Sequence, residues 1–342
     1  MTLALPPLAT TSVGSFPRPL WLATTERGHA RFRPLDAPAL AEAKDDATLL
    51  SLYEQEELGL DIVTDGEQRR ERFIYHAMTT WDGVDLVNTG TKTAFRGREN
   101  YPQVVPRIIG HLVRRAPACV EDLRFVKAHT KRPVKIAVPG PLTIADSTFD
   151  AFYRDEAALT MDAAAALNGE LRDLEAAGCD MLQIDEPAMT RYHEKVSSFA
   201  ARALDRCLDG ITVPTVVHLC YGYPGGLNLQ HHITYPRLLD ALMTTRIGGV
   251  SVEFGRSSFD PAVLAPFRER LVLYGCVDPG ATPAPSVEQV KRRVSELLDH
   301  VAIDPRRVLL APDCGLMTIG RELARAKVRV MVEAAEQLRR GL

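Results

Sequence analysis

Eight short apolar runs, separated by stretches of helical period, constrain this chain more than any other feature. They cover residues 11–16, 61–67, 134–139, 181–186, 216–221, 249–254, 271–278 and 308–314. Most are rich in Val, Ile and Leu, and hold their polar residues back to their last positions. A strand covered on both faces by helices has this composition, because neither face meets water. The intervening stretches read as helices. Residues 39–58 carry apolar side chains at helical spacing behind Pro38, with Gly59 placed to close the helix. Residues 156–177 stop at Gly178, and Ser286 caps a helix through His300 with Glu288 in its first turn. An amphipathic helix over 320–340 comes last.

Strands alternating with helices define an α/β fold, and eight of them predict a single (β/α)8 TIM barrel, with a doubly wound sheet as the rival. A length of 342 residues suits either two ordinary domains or one barrel with insertions. The absence of linker composition and of internal repeats favours one catalytic domain over 1–342. Residues 82–115 break the alternation. Their extended pieces, 84–87, 91–96 and 104–109, predict an inserted β-hairpin arm after the second strand. That arm accounts for part of the excess over the roughly 250 residues of a typical barrel.

Charge and cysteine content exclude several function classes. Forty-one Lys and Arg against 44 Asp and Glu leave a formal charge of −3, which excludes nucleic acid held by a basic face. No run of about 18 uncharged apolar residues predicts a membrane span. Residues 1–17 place no Lys or Arg ahead of an apolar run, so no signal peptide is expected. Six cysteines in so long a chain do not make a disulfide scaffold, and a reducing cytoplasm is the expected setting.

The polar residues at the run ends are Ser15, Glu67, Asp185 with Glu186, His218 with Cys220, Glu253, Asp278, and Asp313 with Cys314. In a (β/α)8 barrel the C-terminal strand ends form one face, and that face carries the active site. His218 and Cys220 are two apart on one strand, so imidazole and thiol project to the same side. With Cys314 and Glu253 they make a candidate Zn2+ site of Cys2His type with a carboxylate fourth ligand. Against this stands the frequency of an isolated His-x-Cys, and of buried cysteines that merely pack.

Of Asp185 and Glu186, alternation admits one to the barrel mouth and turns the other toward a neighbouring layer; the bland alternative has Asp185 capping the next helix. Glu67 is either a site carboxylate or the salt-bridge partner of Arg69, Arg70 or Arg72. Gly14 lets a backbone N–H approach a ligand carboxylate, or makes an ordinary tight turn. Asp278 is a candidate catalytic residue. Cys276 receives no role, and His231-His232 reads as a solvated loop.

Six blocks then resemble one family in its order. They are residues 11–17 (TSVGSFP), 65–67 (DGE), 183–188 (QIDEPA), 218–222 (HLCYG), 251–253 (SVE) and 312–316 (PDCGL). Together they resemble the catalytic half of cobalamin-independent methionine synthase. The resemblance implies a (β/α)8 barrel with zinc on His218, Cys220, Glu253 and Cys314. It implies that homocysteine's carboxylate meets Val13, Gly14 and Ser15, and its amino group Glu67 and Asp185. Two positions differ from the folate enzyme: residues 275–280 offer no histidine to protonate a leaving group, with Gly280 in its place, and Ser147 falls where a pterin-stacking tryptophan is expected. The length leaves no room for the folate enzyme's second barrel.

In these features the chain is more similar to short core methionine synthases, which accept a methyl group from donors such as a corrinoid protein. The same fold also serves zinc-dependent alkyl transfer to other thiols, including epoxyalkane opening by coenzyme M. A sulfonate acceptor of that kind would call on Arg18, Arg69 and Arg70.

Overall fold

The computed structural model describes residues 4–26, 29–96, 99–221, 231–257 and 259–342. The chain divides into two compact units.

The first unit comprises Met1–Arg72, Asp122–Ile136 and Gly249–Leu342. Its centre is a parallel ladder in which Gly249–Glu253 pairs with Leu271–Val277, which pairs with Val308–Pro312, which pairs with Ala9–Thr10. Parallel bridges Thr11 to Ile62 and Val63 to Val134 continue it. The apolar runs therefore do lie as buried parallel strands, and Val308–Pro312 is buried at every position. Two runs are shorter in the ladder than their sequence suggests. The first leaves it after Thr11, and the second contributes Ile62 and Val63 before the chain turns at Asp65.

Local signals set the helices of this unit. Ala37–Glu57 starts at Asp36, whose side chain accepts from Ala39 N at 2.9 Å. It closes at Gly59, whose φ of +87° suits glycine and whose missing Cβ leaves room for Val332. Val287–Val301 opens with a capping box between Ser286 and Gln289. Its buried row, Val290, Val294, Leu297 and Val301, follows the helical period. Each of those side chains contributes roughly 1.5–3 kcal/mol by leaving water. Arg321–Arg339 is the last helix.

The second unit comprises Phe73–Glu121 and Ala137–Gly248. Met181–Asp185 runs parallel to Thr215–Leu219, and Gly140 N donates to the Asp185 carbonyl at 2.8 Å. Glu156–Ala176 starts at the Asp155 cap and buries Leu159, Ala163, Leu167, Leu171 and Leu174. The three extended pieces expected over 82–115 form two long antiparallel strands, Trp81–Arg96 and Glu99–Arg114. Their register breaks between Asp85 and Gly90, where the Asp85 carboxylate accepts from Val87 N at 2.9 Å and Asn88 N at 2.7 Å. A carboxylate serving backbone donors there releases residues 86–89 from the ladder. No helix among the described residues is long and apolar enough to cross a membrane.

Candidate functional site

The turn after Thr11 is built around its carbonyl groups. Val13 O accepts from the buried Lys135 Nζ at 2.8 Å, and Gly14 O from Thr64 Oγ1 at 2.7 Å. Leu316 N donates to Ser15 O at 2.9 Å, and Gln68 Nε2 to Phe16 O at 3.0 Å. The N–H groups of Val13, Gly14 and Ser15 have no acceptor among the described residues. A turn with its acceptors occupied and its donors uncommitted is electropositive, which suits an anion. A side chain at Gly315 would collide with the Ser15 hydroxyl, so glycine there leaves that hydroxyl its place.

Glu67 sits on a strained turn. Gly66 and Glu67 both take positive φ, +61° and +54°. For Glu67 this costs about 1–2 kcal/mol, a strain that collects at functional positions. Asp65 fixes the turn, accepting from Glu67 N at 3.1 Å and pairing with Arg70 at 2.7 Å in full burial. Arg69 pairs with Asp45. Arg18 donates to the carbonyls of Glu67, at 2.7 Å, and of Arg70. Burial pulls the Arg18 guanidinium down to about 10, against the opposing attraction of the Glu67 charge. Of the three arginines expected to serve a sulfonate, two are thus matched to carboxylates and the third holds backbone carbonyls.

The ends of three consecutive ladder strands carry Glu253, Asp278 and the pair Asp313-Cys314. Glu253 is buried at the last position of Gly249–Glu253. Asp313 is buried too, and its carboxylate accepts from Phe254 N at 3.2 Å, Gly255 N at 2.7 Å and Arg256 N at 2.7 Å. Burial pushes the Asp313 carboxyl up to about 7, while those backbone donors pull it back. Cys314 follows, half-buried, in the turn beyond Val308–Pro312. Asp278 accepts from Gly280 N at 2.7 Å, and Lys327 Nζ donates to the carbonyls of Asp278 and Ala281, each at 2.6 Å.

In the second unit the acidic pair divides its labour. Glu186 is fully buried and accepts from Leu142 N at 2.9 Å, Thr143 N at 3.0 Å and Thr143 Oγ1 at 2.7 Å. It therefore holds the start of the helix Pro141–Asp146, and any side chain at Gly140 would run into it. Burial raises its carboxyl to about 7, with those three bonds opposing. Asp185 instead accepts from Gln183 Nε2 at 2.7 Å and does not cap Pro187–Arg191, which has no side-chain cap. His218 lies in Thr215–Leu219 and Cys220 just beyond it, both buried. Among the described residues His218, Cys220 and Cys314 form a His/Cys/Cys group able to hold a metal ion.

One expectation changes here, that for His231-His232, while Cys276 remains without a role. Cys276 is buried, directs its thiol toward the Ala311 carbonyl at 3.6 Å, and burial pushes that thiol well above its ordinary range. The pair His231-His232 opens the helix His231–Leu242 rather than lying in a loop, because the buried Tyr235, Leu238, Leu239 and Leu242 carry a helical period back to it. Gly222, the last residue of one family block, lies outside the described residues. Two supporting roles escape the sequence pattern, that of Asp313 toward the backbone at 254–256 and that of Lys327. A signal existed for Lys327, which shares the apolar stripe of Ala324, Val328 and Met331.

Parallel strands alternating with helices, with their chemically active side chains gathered at the carboxyl ends, define the (β/α)8-barrel class of enzyme. A family model described as the catalytic domain of the cobalamin-independent synthase matches residues 8–337. The chain belongs to the cobalamin-independent methionine synthase family. A methionine synthase of Thermococcus kodakarensis is 30% identical over 342 residues, covering 99% of this chain and 96% of the relative. One from Sulfurisphaera tokodaii is 29% identical, covering 99% and 94%. The solved B12-independent methionine synthase from Shewanella sp. W3-18-1, in complex with selenomethionine, superposes with a TM-score of 0.90 at 31% identity over 98% of both chains. A putative vitamin-B12 independent methionine synthase from Listeria monocytogenes, 20% identical with a TM-score of 0.75 over 98% of both chains, shares the fold.

Proposed function

We propose that this chain is a zinc-dependent methyltransferase that moves a methyl group onto the thiol of homocysteine and releases methionine. The observation that carries the reading is the His218, Cys220 and Cys314 group, in a member of this family. Its donors fit zinc: two thiols and an imidazole are soft or borderline ligands that favour Zn2+ over Mg2+ or Ca2+. Glu253, buried at the end of its strand but outside that three-residue group, is assigned the fourth position on the family resemblance. Zinc bound there supplies the Lewis acidity that keeps a substrate thiol, normally a few per cent ionised at neutral pH, in its nucleophilic thiolate form.

The remaining residues bind and orient. The uncommitted N–H groups of Val13, Gly14 and Ser15 receive the amino acid's carboxylate. Glu67 and Asp185 receive its ammonium. The backbone ties on residues 13–16 and 65–67 hold those groups before substrate arrives, which lowers the ordering cost of binding. Asp278 is assigned the proton-handling role, since residues 275–280 contain no imidazole. That lack also argues for a donor with a better leaving group than folate nitrogen, such as a methylated corrinoid protein. We treat residues 1–342 as one catalytic domain with 82–115 as its arm, working in the cytoplasm, where its six free cysteines stay reduced. Transfer to coenzyme M is less favoured, because Arg69 and Arg70 are already paired with carboxylates.

The test is methionine formation by the zinc-loaded protein from homocysteine, with methylcobalamin and methyltetrahydrofolate as alternative donors, alongside zinc-edge X-ray absorption. The reading expects turnover with methylcobalamin and one additional sulfur around zinc when homocysteine is added. An unchanged zinc shell together with no methionine from either donor overturns it.

A further inference from the structure

We propose that Asp313 is a positioning residue that locks the chain following Glu253 to the turn carrying Cys314, and so fixes two of the metal ligands relative to each other. The inference rests on the zinc reading above and deepens it.

The strands ending at Glu253 and at Pro312 are not neighbours, since Leu271–Val277 lies between them. Asp313 spans that intervening strand. Its own N–H donates to Val277 O at 2.9 Å, while its carboxylate takes the N–H groups of Gly255 and Arg256 and shares that of Phe254, which also donates to the Gly275 carbonyl at 2.9 Å. The crossing depends on Gly275, which stands in register with Glu253 on one side and Ala311 on the other. A Cβ there would lie 2.6 Å from Asp313 Oδ1 and 2.6 Å from the Val252 carbonyl. Gly255 is cleared in the same way, its absent Cβ falling 2.6 Å from Asp278 N and from the Val277 carbonyl carbon.

Burying a carboxylate costs several kcal/mol unless hydrogen bonds replace its water. Here that expense is met by backbone donors directly after Glu253, from a residue directly before Cys314. Residues that orient metal ligands without touching the metal typically change affinity 10–100-fold when removed.

The experiment measures zinc affinity by chelator competition, and the visible spectrum of the Co2+-substituted protein, on the full chain. Asp313→Asn keeps the volume but loses the charge and one acceptor oxygen. Gly275→Ala leaves Asp313 intact and displaces its carboxylate. Asp304→Asn, which weakens a helix cap remote from these strand ends, is the control. Both site variants are expected to bind zinc roughly 10–100-fold more weakly, and to shift the thiolate-to-cobalt bands, with the control unchanged. Asp313→Glu, which moves the charge by one methylene, reads the same quantities should Asp313→Asn not fold. Folded site variants with wild-type affinity and spectrum overturn the inference and leave the zinc reading standing. A wild-type chain that binds neither metal overturns the zinc reading and this inference with it.

Discussion

Replacing Glu186 by Gln makes stability respond to pH in a direction the structure fixes. The wild-type carboxyl is fully buried and raised from 4.5 to about 7, because desolvation outweighs its bonds to Leu142 N, Thr143 N and Thr143 Oγ1. An acid whose folded pKa lies above its unfolded one takes up a proton on folding throughout that interval. Its contribution to stability is therefore complete below about 4.5 and is lost as pH rises through about 7. At 1.36 kcal/mol per unit, the loss is on the order of 3 kcal/mol, most of it between pH 5 and pH 8. Glutamine does not titrate, so the stability gap between wild type and Glu186→Gln should narrow by about that amount between pH 5 and pH 8. Urea midpoints at four pH values in that range measure it. A gap that stays constant or widens would refute the reasoning, since the carboxylate would then have to be ionised and favourably bound. Glu186→Ala should be worse at every pH. It strands three buried donors at about 1–3 kcal/mol each, which is a large part of the 5–15 kcal/mol that holds a domain together.

Three further outcomes follow from the geometry. Cys220→Ser or Cys314→Ser should lose most of the bound zinc by elemental analysis, because a hydroxyl is a far poorer zinc ligand than a thiolate. Asp185→Asn should keep zinc and raise the homocysteine KM by about 10–100-fold, the range of one charged hydrogen bond worth roughly 1.5–3 kcal/mol; metal loss in this variant would make its role structural. Lys327→Met should lower stability by about 2–4 kcal/mol, through the two carbonyls left without their cationic donor. Steady-state assays should then show a fall in kcat larger than any change in KM, since the loosened segment carries Asp278.

Much of the architecture was legible because it depends on pattern. Runs covered on both faces are apolar at every position, and six of the eight appear as strands of five or more residues, or nearly so, where the pattern put them. The first two runs shorten for reasons a pattern cannot encode. Residues 13–16 give their carbonyls to Lys135, Thr64, Leu316 and Gln68, which are distant in sequence, and 65–67 turn through two positive φ values. His218 and Cys220 were legible because strand periodicity alone puts them on one side. Alternation also showed that Asp185 and Glu186 have separate roles. Which of them supports a neighbouring helix was decided by Pro141–Asp146, which offers Glu186 its backbone donors. The role of Asp313 stayed hidden for a similar reason, because its partners are three backbone N–H groups and backbone carries no residue-type signal.

These ties share a logic that bears on what each segment can bind. A buried side chain that occupies one kind of backbone group leaves the other kind to face a ligand. Lys135, Thr64 and Gln68 occupy carbonyls at 13–16, so the turn offers N–H groups and suits a carboxylate. Asp313 occupies N–H groups at 254–256, and so withdraws backbone donors from the chain directly after Glu253. Binding polarity is thus set one layer behind the residues that would touch substrate or metal. Exchanging Lys135 for Met should accordingly weaken carboxylate recognition although Lys135 touches no ligand. The Val13 carbonyl, released from its ammonium partner, would be free to rotate toward the incoming anion and repel it. Comparing inhibition by methionine with inhibition by methioninol, which lacks the carboxylate, isolates that effect: Lys135→Met should lose affinity for methionine and leave methioninol nearly unchanged, whereas an equal loss for both would show that Lys135 supports the fold and does not set the polarity of the turn.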